Sequence, residues 1–232
     1  MADEKQGGFF IFPAWANYLL PTAIVMVIGG GLYLPVLLGA GLSAETLNVG
    51  YQPDQPVPFS HALHVGDMGI DCRYCHNTVD QTRFAAVPPT ATCINCHNHT
   101  PDATGVHKGS ARLAPVRESY NHDTPVEWVK VHDLPDYAYF DHSAHVNKGI
   151  GCVSCHGRVD KMDVVQQVAP LSMSWCLDCH RAPENHLRPR SEVTNMQWQP
   201  PDGDQRSLGE RLKREFGIRD QAYMTSCSTC HR

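Results

Sequence analysis

No charged residue interrupts the chain between Lys5 and Glu45. Within that stretch Leu19 to Ala40 is almost wholly apolar. Its 22 residues at about 1.5 Å rise per residue make a helix long enough for the roughly 30 Å hydrocarbon layer of a bilayer. Trp15 and Tyr18 fall where an interfacial aromatic belt forms. Pro21 is tolerated in a first helical turn, whereas Pro35 bends the helix or ends it early. The pattern predicts a transmembrane anchor over residues 18–42. A cleaved signal peptide is the alternative, but that begins with a positive segment and has a shorter apolar run. Met1–Gly8 carries Asp3, Glu4 and only Lys5, so the segment is expected to be retained. Gly29-Gly30-Gly31 either admits a close neighbouring helix or simply thins this one.

After residue 43 the pattern changes. Tyr51–Pro58 holds three prolines and reads as an extended linker, over 43–58 in all. Beyond it the chain repeats itself. Phe59-Ser60-His61-Ala62-Leu63-His64 precedes Cys72, and Phe140-Asp141-His142-Ser143-Ala144-His145 precedes Cys152. Each copy continues as Cys-His-x-x-Val-Asp, Cys75 to Asp80 and Cys155 to Asp160. A proline-containing approach to a second motif follows, Pro88-Pro89 before Cys93 and Pro170 before Cys176.

All ten cysteines fall into five Cys-x-x-Cys-His units: Cys72/Cys75/His76, Cys93/Cys96/His97, Cys152/Cys155/His156, Cys176/Cys179/His180 and Cys227/Cys230/His231. Two thiols three positions apart add across the two vinyl groups of one haem, and the next imidazole reaches the iron. A zinc knuckle or a redox dithiol is the rival for any single unit. With 14 histidines in 232 residues, chance would place all five there with odds of roughly one in a million. The units predict five covalently attached haem c groups with proximal ligands His76, His97, His156, His180 and His231.

That prediction bounds the fold. The 190 residues from 43 to 232, shared among five motifs, leave 38 each, too few to wrap every macrocycle in its own core. The haems are expected to pack against one another, in the class III, c7-like manner. The protein around them is expected to be mostly irregular, with short α-helices carrying the motifs. The expected organisation is an N-terminal cytoplasmic segment 1–17, the anchor, the linker, and a pentahaem domain 59–232. Within that domain lie two-haem repeats 59–97 and 140–180 and a terminal motif 227–231. Haem attachment occurs on the outer face of a bacterial membrane, so 43–232 should lie on the periplasmic side. The net charge of −5 does not point to nucleic acid.

The paired histidines supply distal ligands. Positions three apart on a helix face nearly the same way, so His61 and His64, and His142 and His145, suit two neighbouring haems each. A fifth distal ligand must come from elsewhere. His132, directly before the second repeat, is the first choice; Met173 and Met162 compete, because thioether ligation raises a haem potential. Arg73, Arg83, Arg158 and Arg181 are candidates to meet propionates. For 181–226, rich in arginine and proline, a solvated surface is the default.

Trp128-Val129-Lys130-Val131-His132-Asp133-Leu134-Pro135-Asp136, leading into the second Phe-x-His-x-x-His, adds a resemblance. So do Met173-Ser174-Trp175-Cys176 and Cys179-His180-Arg181-Ala182-Pro183-Glu184. With one anchor and five haem motifs, the chain resembles, over most of its length, the pentahaem subunit of alternative complex III. That assembly is a bacterial quinol:electron acceptor oxidoreductase. The resemblance implies integral membrane quinol-oxidising subunits and an Fe-S subunit as partners. The implied acceptor is a monohaem cytochrome c, a copper protein or a terminal oxidase. No active site of its own is expected. Two alternatives differ in class: a membrane quinol dehydrogenase of the NapC and NrfH type, working at a membrane-proximal haem, and a small-ligand binder with a five-coordinate haem.

Overall fold

The computed structural model describes residues 12–43 and 47–231, and these fall into two compact units divided after residue 46. The charge pattern read on Asp3, Glu4, Lys5 and Glu45 lies outside the described residues. The first unit is one long helix, α1 (Leu19–Gly41), led in by a 3-10 turn over Ala14–Tyr18 that carries Trp15 and Tyr18. Together they make 28 residues, with a mean hydropathy of 2.1 over the most apolar 18 of them, long and apolar enough to cross a membrane. Pro35 lies inside the helix without ending it. The side chains of α1 are exposed along its whole length. A helix apolar all round has no polar face to turn to water.

The second unit is short helices in irregular chain, as expected, with no β-strand among the described residues. Its α-helices are α2 (Cys72–Cys75), α3 (Thr90–His97), α4 (Ala114–His122), α5 (His142–Val146), α6 (Val153–His156), α7 (Met173–Arg181), α8 (Gln205–Glu215), α9 (Gln221–Met224) and α10 (Cys227–Cys230), and a π-helix over Ala62–Asp67 carries His64. Several start on a side-chain cap, Asp71 for α2, Asp141 for α5 and Ser172 for α7. Such a cap stabilises a single turn that could not persist alone.

Only eleven apolar side chains are buried among the described residues, nine of them in small separate clusters. Val57, Ile94 and Val116 meet beside α3; Val79, Val146 and Val193 meet beside Cys152; Leu187, Leu212 and Phe216 meet under α8. The Leu187 cluster lies within 181–226, where a solvated surface was expected. The amphipathic α8 closes over Pro183–Asn185 there, and Lys213 pairs with Glu184 at 2.9 Å. Residues 47–58, read as a linker, run along the unit without helix or strand except at 47. Gly50 N–H donates to Gln167 O, and Gln55 exchanges two hydrogen bonds with the Val129 backbone.

The two repeats grip each other reciprocally. Ala62 N–H donates to Met162 O at 3.0 Å; at the equivalent positions, Ser143 N–H donates to Thr82 O at 3.2 Å. Asn147 Nδ2 donates to Asp80 O at 2.8 Å. Its counterpart Gly66 lies so close to Asp160 that a Cβ there would come within 2.4 Å of the Asp160 carbonyl oxygen. The Phe-x-His-x-x-His segment of each copy thus docks on the Cys-His-x-x-Val-Asp loop of the other. The duplicated sequence folds as an interlocked, pseudo-twofold pair. Gly66→Ala is accordingly expected to push the copies apart at a cost of about 1–3 kcal/mol, read as a lowered thermal midpoint. An unchanged midpoint would contradict the close fit.

Candidate haem centres

Every Cys-x-x-Cys-His unit sits on one helical turn. The histidine N–H returns to the first cysteine's carbonyl at 2.8 Å for His76, 2.9 Å for His156 and 2.8 Å for His231. That turn places both thiols on one face with the imidazole beside them. No cysteine is in a disulfide. Among the described residues no three His, Cys, Asp or Glu side chains converge as a metal site, so the units do not gather into zinc knuckles. Nor are the Cys72/Cys75 and Cys176/Cys179 pairs activated as a redox dithiol would be, since burial and neighbouring thiols raise all four; Cys152 alone is lowered, by its hydrogen bond with Cys72. Burial pushes Cys155 up to about 12 and Cys179 up to about 11, helped by neighbouring thiols.

The expected shared core does not enclose the ten attachment cysteines equally. Cys72, Cys75, Cys93, Cys152, Cys155, Cys176, Cys179 and Cys230 are half-buried, whereas Cys96 and Cys227 are exposed. For Cys96 the reason is helical geometry. Ile94 is the buried residue of α3, and a residue two positions further on points to the opposite side of the helix. The main chain of Cys96 is nonetheless fixed, since its carbonyl accepts from Val106 N–H at 2.8 Å. Cys227 opens α10, a single turn with no buried residue. Both thiols therefore belong to motifs that the polypeptide itself covers least, those of His97 and His231.

Seven of the nine histidines in the Cys-x-x-Cys-His units and the Phe-x-His-x-x-His segments are held in one tautomer, whereas the buried Nδ1 of His61 has no partner. The Nδ1–H of His76 donates to Ala86 O at 2.7 Å, that of His97 to Val106 O at 2.9 Å, and that of His180 to Met224 O at 2.9 Å. His231 Nδ1–H donates to Tyr137 O at 3.0 Å. On the distal side, His64 donates to Ser60 O at 2.8 Å, His142 to Arg83 O at 2.9 Å and His145 to Asp141 O at 2.7 Å. With Nδ1 protonated and occupied, Nε2 carries the lone pair that a metal takes. Ala86 holds its carbonyl in place from a left-handed backbone, φ 56°, a conformation that costs energy outside glycine.

Spacing completes the test of fit. A metal–imidazole bond of about 2.0–2.1 Å puts two rings on opposite sides of one metal with centroids about 6.3 Å apart. His64 and His97 are 6.3 Å apart, His142 and His156 6.4 Å, and His145 and His180 6.2 Å. Each pair joins one distal-segment histidine to one motif histidine of its own repeat. Phe59 lies against both His61 (4.8 Å) and His64 (4.4 Å), and Phe140 against both His142 (4.7 Å) and His145 (4.6 Å). The phenylalanine explains the leading Phe of Phe-x-His-x-x-His: it spaces and orients the two rings. The residues present fit haem.

Burial keeps the central imidazoles neutral, the form that coordinates. Desolvation, with the charge of His76 adding to it, lowers His61 to about 4. Desolvation, reinforced by His132, His142, His76 and His61, lowers His156 to about 3.

His132 is placed against His156, with centroids 4.5 Å apart and planes at 77°. That is shorter than two bonds to one iron require, so the two rings share no iron axis. Its buried Nε2 has no hydrogen-bond partner. The ring contact of His231 is with Tyr137. Met173 begins α7 and is 62% exposed, while Met162 presents its carbonyl to Ala62. Of the arginines, Arg158 is held two-pronged by Asp160, and Arg73 lies 3.9 Å from Asp80. Arg181 reaches Asp178 at 3.4 Å, and Arg83 stacks on Phe84 and Tyr139. The carbonyls that hold the imidazoles are main-chain groups, and no residue type announces them.

No model of a known protein family matches the chain. It is 33% identical, over 201 residues, to the multihaem cytochrome c subunit of menaquinone reductase from Nitratidesulfovibrio vulgaris. The alignment spans 85% of this chain and 84% of that protein.

Proposed function

Because the chain belongs to the family of multihaem cytochromes c that includes this subunit, with haem c covalently bound, we propose that it is the pentahaem electron conductor of a membrane quinone-linked complex. Haem c, when bound, supplies reversible one-electron carriage. The chain's own residues do the rest. Ten cysteines fix five haems; His76, His97, His156, His180 and His231 take the proximal positions. His64 faces His97, His142 faces His156 and His145 faces His180 as distal ligands, and by the same repeat His61 faces His76. Carbonyls hold the imidazoles in the coordinating tautomer. The observation that carries the reading is the three imidazole pairs at 6.2–6.4 Å.

In its finer form, α1 anchors the protein and holds residues 47–231 on the periplasmic side of a bacterial membrane. There it serves a complex of the alternative complex III type. Integral membrane subunits and an Fe-S subunit deliver electrons from quinol, and a monohaem cytochrome c, a copper protein or an oxidase accepts them. Purification from membranes tests this. The chain is expected to co-purify with polytopic and Fe-S subunits, in a complex with quinol:acceptor activity. Isolation as a lone cytochrome would overturn it.

The relative's name favours a second reading, in which the same conductor runs toward menaquinone. The purified complex decides between them: reduction of a menaquinone analogue by reduced periplasmic cytochrome, without the reverse activity, selects it.

A chain begun at residue 47 behind a cleavable secretion signal is expected to leave the membrane after a carbonate wash with its haems intact. Retention in the washed membrane would contradict the anchoring role of α1.

A further inference from the structure

Resting on the haem reading above, we infer that the five binding motifs stand in one unbranched file, in the spatial order His97, His76, His156, His180, His231, with the His97 and His231 motifs at its ends. Four junctions carry the order. In the first, Asn95, between the cysteines of α3, donates to the hydroxyl of Tyr74, between the cysteines of α2, at 3.1 Å. Phe59 also bridges the distal imidazoles of these two motifs.

The second junction is the pseudo-twofold contact itself. Cys72 and Cys152 are equivalent positions of the two repeats. One dipeptide straps both motifs: Cys152 N–H donates to Val193 O at 3.0 Å, and Thr194 Oγ1 donates to Asp71, the residue before Cys72, at 2.8 Å. In the third junction Phe140 bridges His142 and His145, the partners of His156 and His180. In the fourth, His180 Nδ1–H reaches the carbonyl of Met224, three residues before Cys227, and α7 packs on α9. Tyr139 N–H donates to Cys230 O at 2.7 Å, tying the last motif to the entry of the second repeat.

The spatial order differs from the chain order in its first two members. A twofold that brings the first motif of each repeat together must send each second motif outward. The His97 motif thereby becomes one end, and the His180 motif is extended by the C-terminal one. The two exposed attachment cysteines, Cys96 and Cys227, fall in these two end motifs. Each transfer along the file moves one electron and breaks no bond.

The test uses the full chain with a ruthenium photoreductant on a single added cysteine and a sacrificial amine donor. One label site is Asp102→Cys, exposed in the loop after His97; the other is Ala222→Cys, exposed in α9 before Cys227. His64→Met and His145→Met each mark one position by the thioether–iron charge-transfer band of the ferric protein. From Asp102 the His64→Met band is expected to bleach in the earliest phase and the His145→Met band later. From Ala222 that order reverses. The same order from both ends overturns the file and leaves the ligand pairs standing. A ferric variant without the band removes the pairs, and with them both the file and the haem assignment beneath it.

Discussion

Synthesised without haem attachment, the unit from residue 47 onward is expected not to fold. Nine of the eleven apolar side chains buried among its described residues are divided among three small clusters, and of the eleven only Leu187 and Val193 are less than 2% exposed. A chain of this length that folds on its own buries most of the surface its unfolded form exposes. Here large apolar groups near the motifs stay open on the polypeptide itself: Phe84 at 65% exposure, Met68 at 58%, Tyr137 at 66%. The surfaces they offer suit macrocycles as the other half of the core. Helices of four or five residues, such as α2, α5, α6 and α10, fall well below the length at which isolated helices persist in water. The measurement is far-ultraviolet circular dichroism with limited proteolysis on protein made in a cytoplasm lacking the attachment machinery. The account predicts little helix from this unit and cleavage throughout it. A cooperative thermal transition in the haem-free protein would contradict it.

His145→Ala is expected to open one haem and leave the other four unchanged. In the described geometry His180 stays tied to Met224 O, so the proximal side survives while the ring 6.2 Å away is lost. The reduced variant should bind one more equivalent of carbon monoxide per chain than the parent. With methionine in place of the imidazole the position is refilled instead, and its midpoint potential should rise by on the order of 0.1 V. Difference spectra and a redox titration read the two variants. A His145→Ala protein that binds no extra carbon monoxide would mean another residue holds that position.

Much of this was legible in the residues because haem chemistry dictates them. Covalent attachment requires Cys-x-x-Cys-His, and two neighbouring irons require two nearby imidazoles. The motifs and the Phe-x-His-x-x-His pairs therefore stand out without any fold. The long helix was legible for a similar reason: an uninterrupted apolar run leaves one outcome, and Leu19–Ala40 differs from α1 by a single residue. What the sequence hid is carried by the backbone. Ala86, Val106, Tyr137 and Met224 contribute carbonyl oxygens, which every residue has. The reciprocal docking of the repeats depends on main-chain bonds between Ala62 and Met162 and between Ser143 and Thr82.

The 183–218 region was obscured by composition. Leu187, Leu212 and Phe216 are scattered among charged residues, and only the fold of α8 brings them together. The five motifs also read alike in sequence, so nothing in them marks Cys96 and Cys227 as the exposed thiols; the packing of α3 and α10 decides that. His132 is marked in the sequence only by its place directly before the second repeat, and its contact with His156 comes from tertiary packing. A ligand that does not belong to the shared repeat carries no local signature.

The central claim is that five haems are attached through all ten cysteines. Intact mass spectrometry of the protein from its native membrane, before and after thiol alkylation under denaturing conditions, tests it most directly. The account predicts polypeptide plus five haem masses and no alkylated cysteine. Fewer haems, or any unit whose two thiols accept the alkylating reagent, would contradict it.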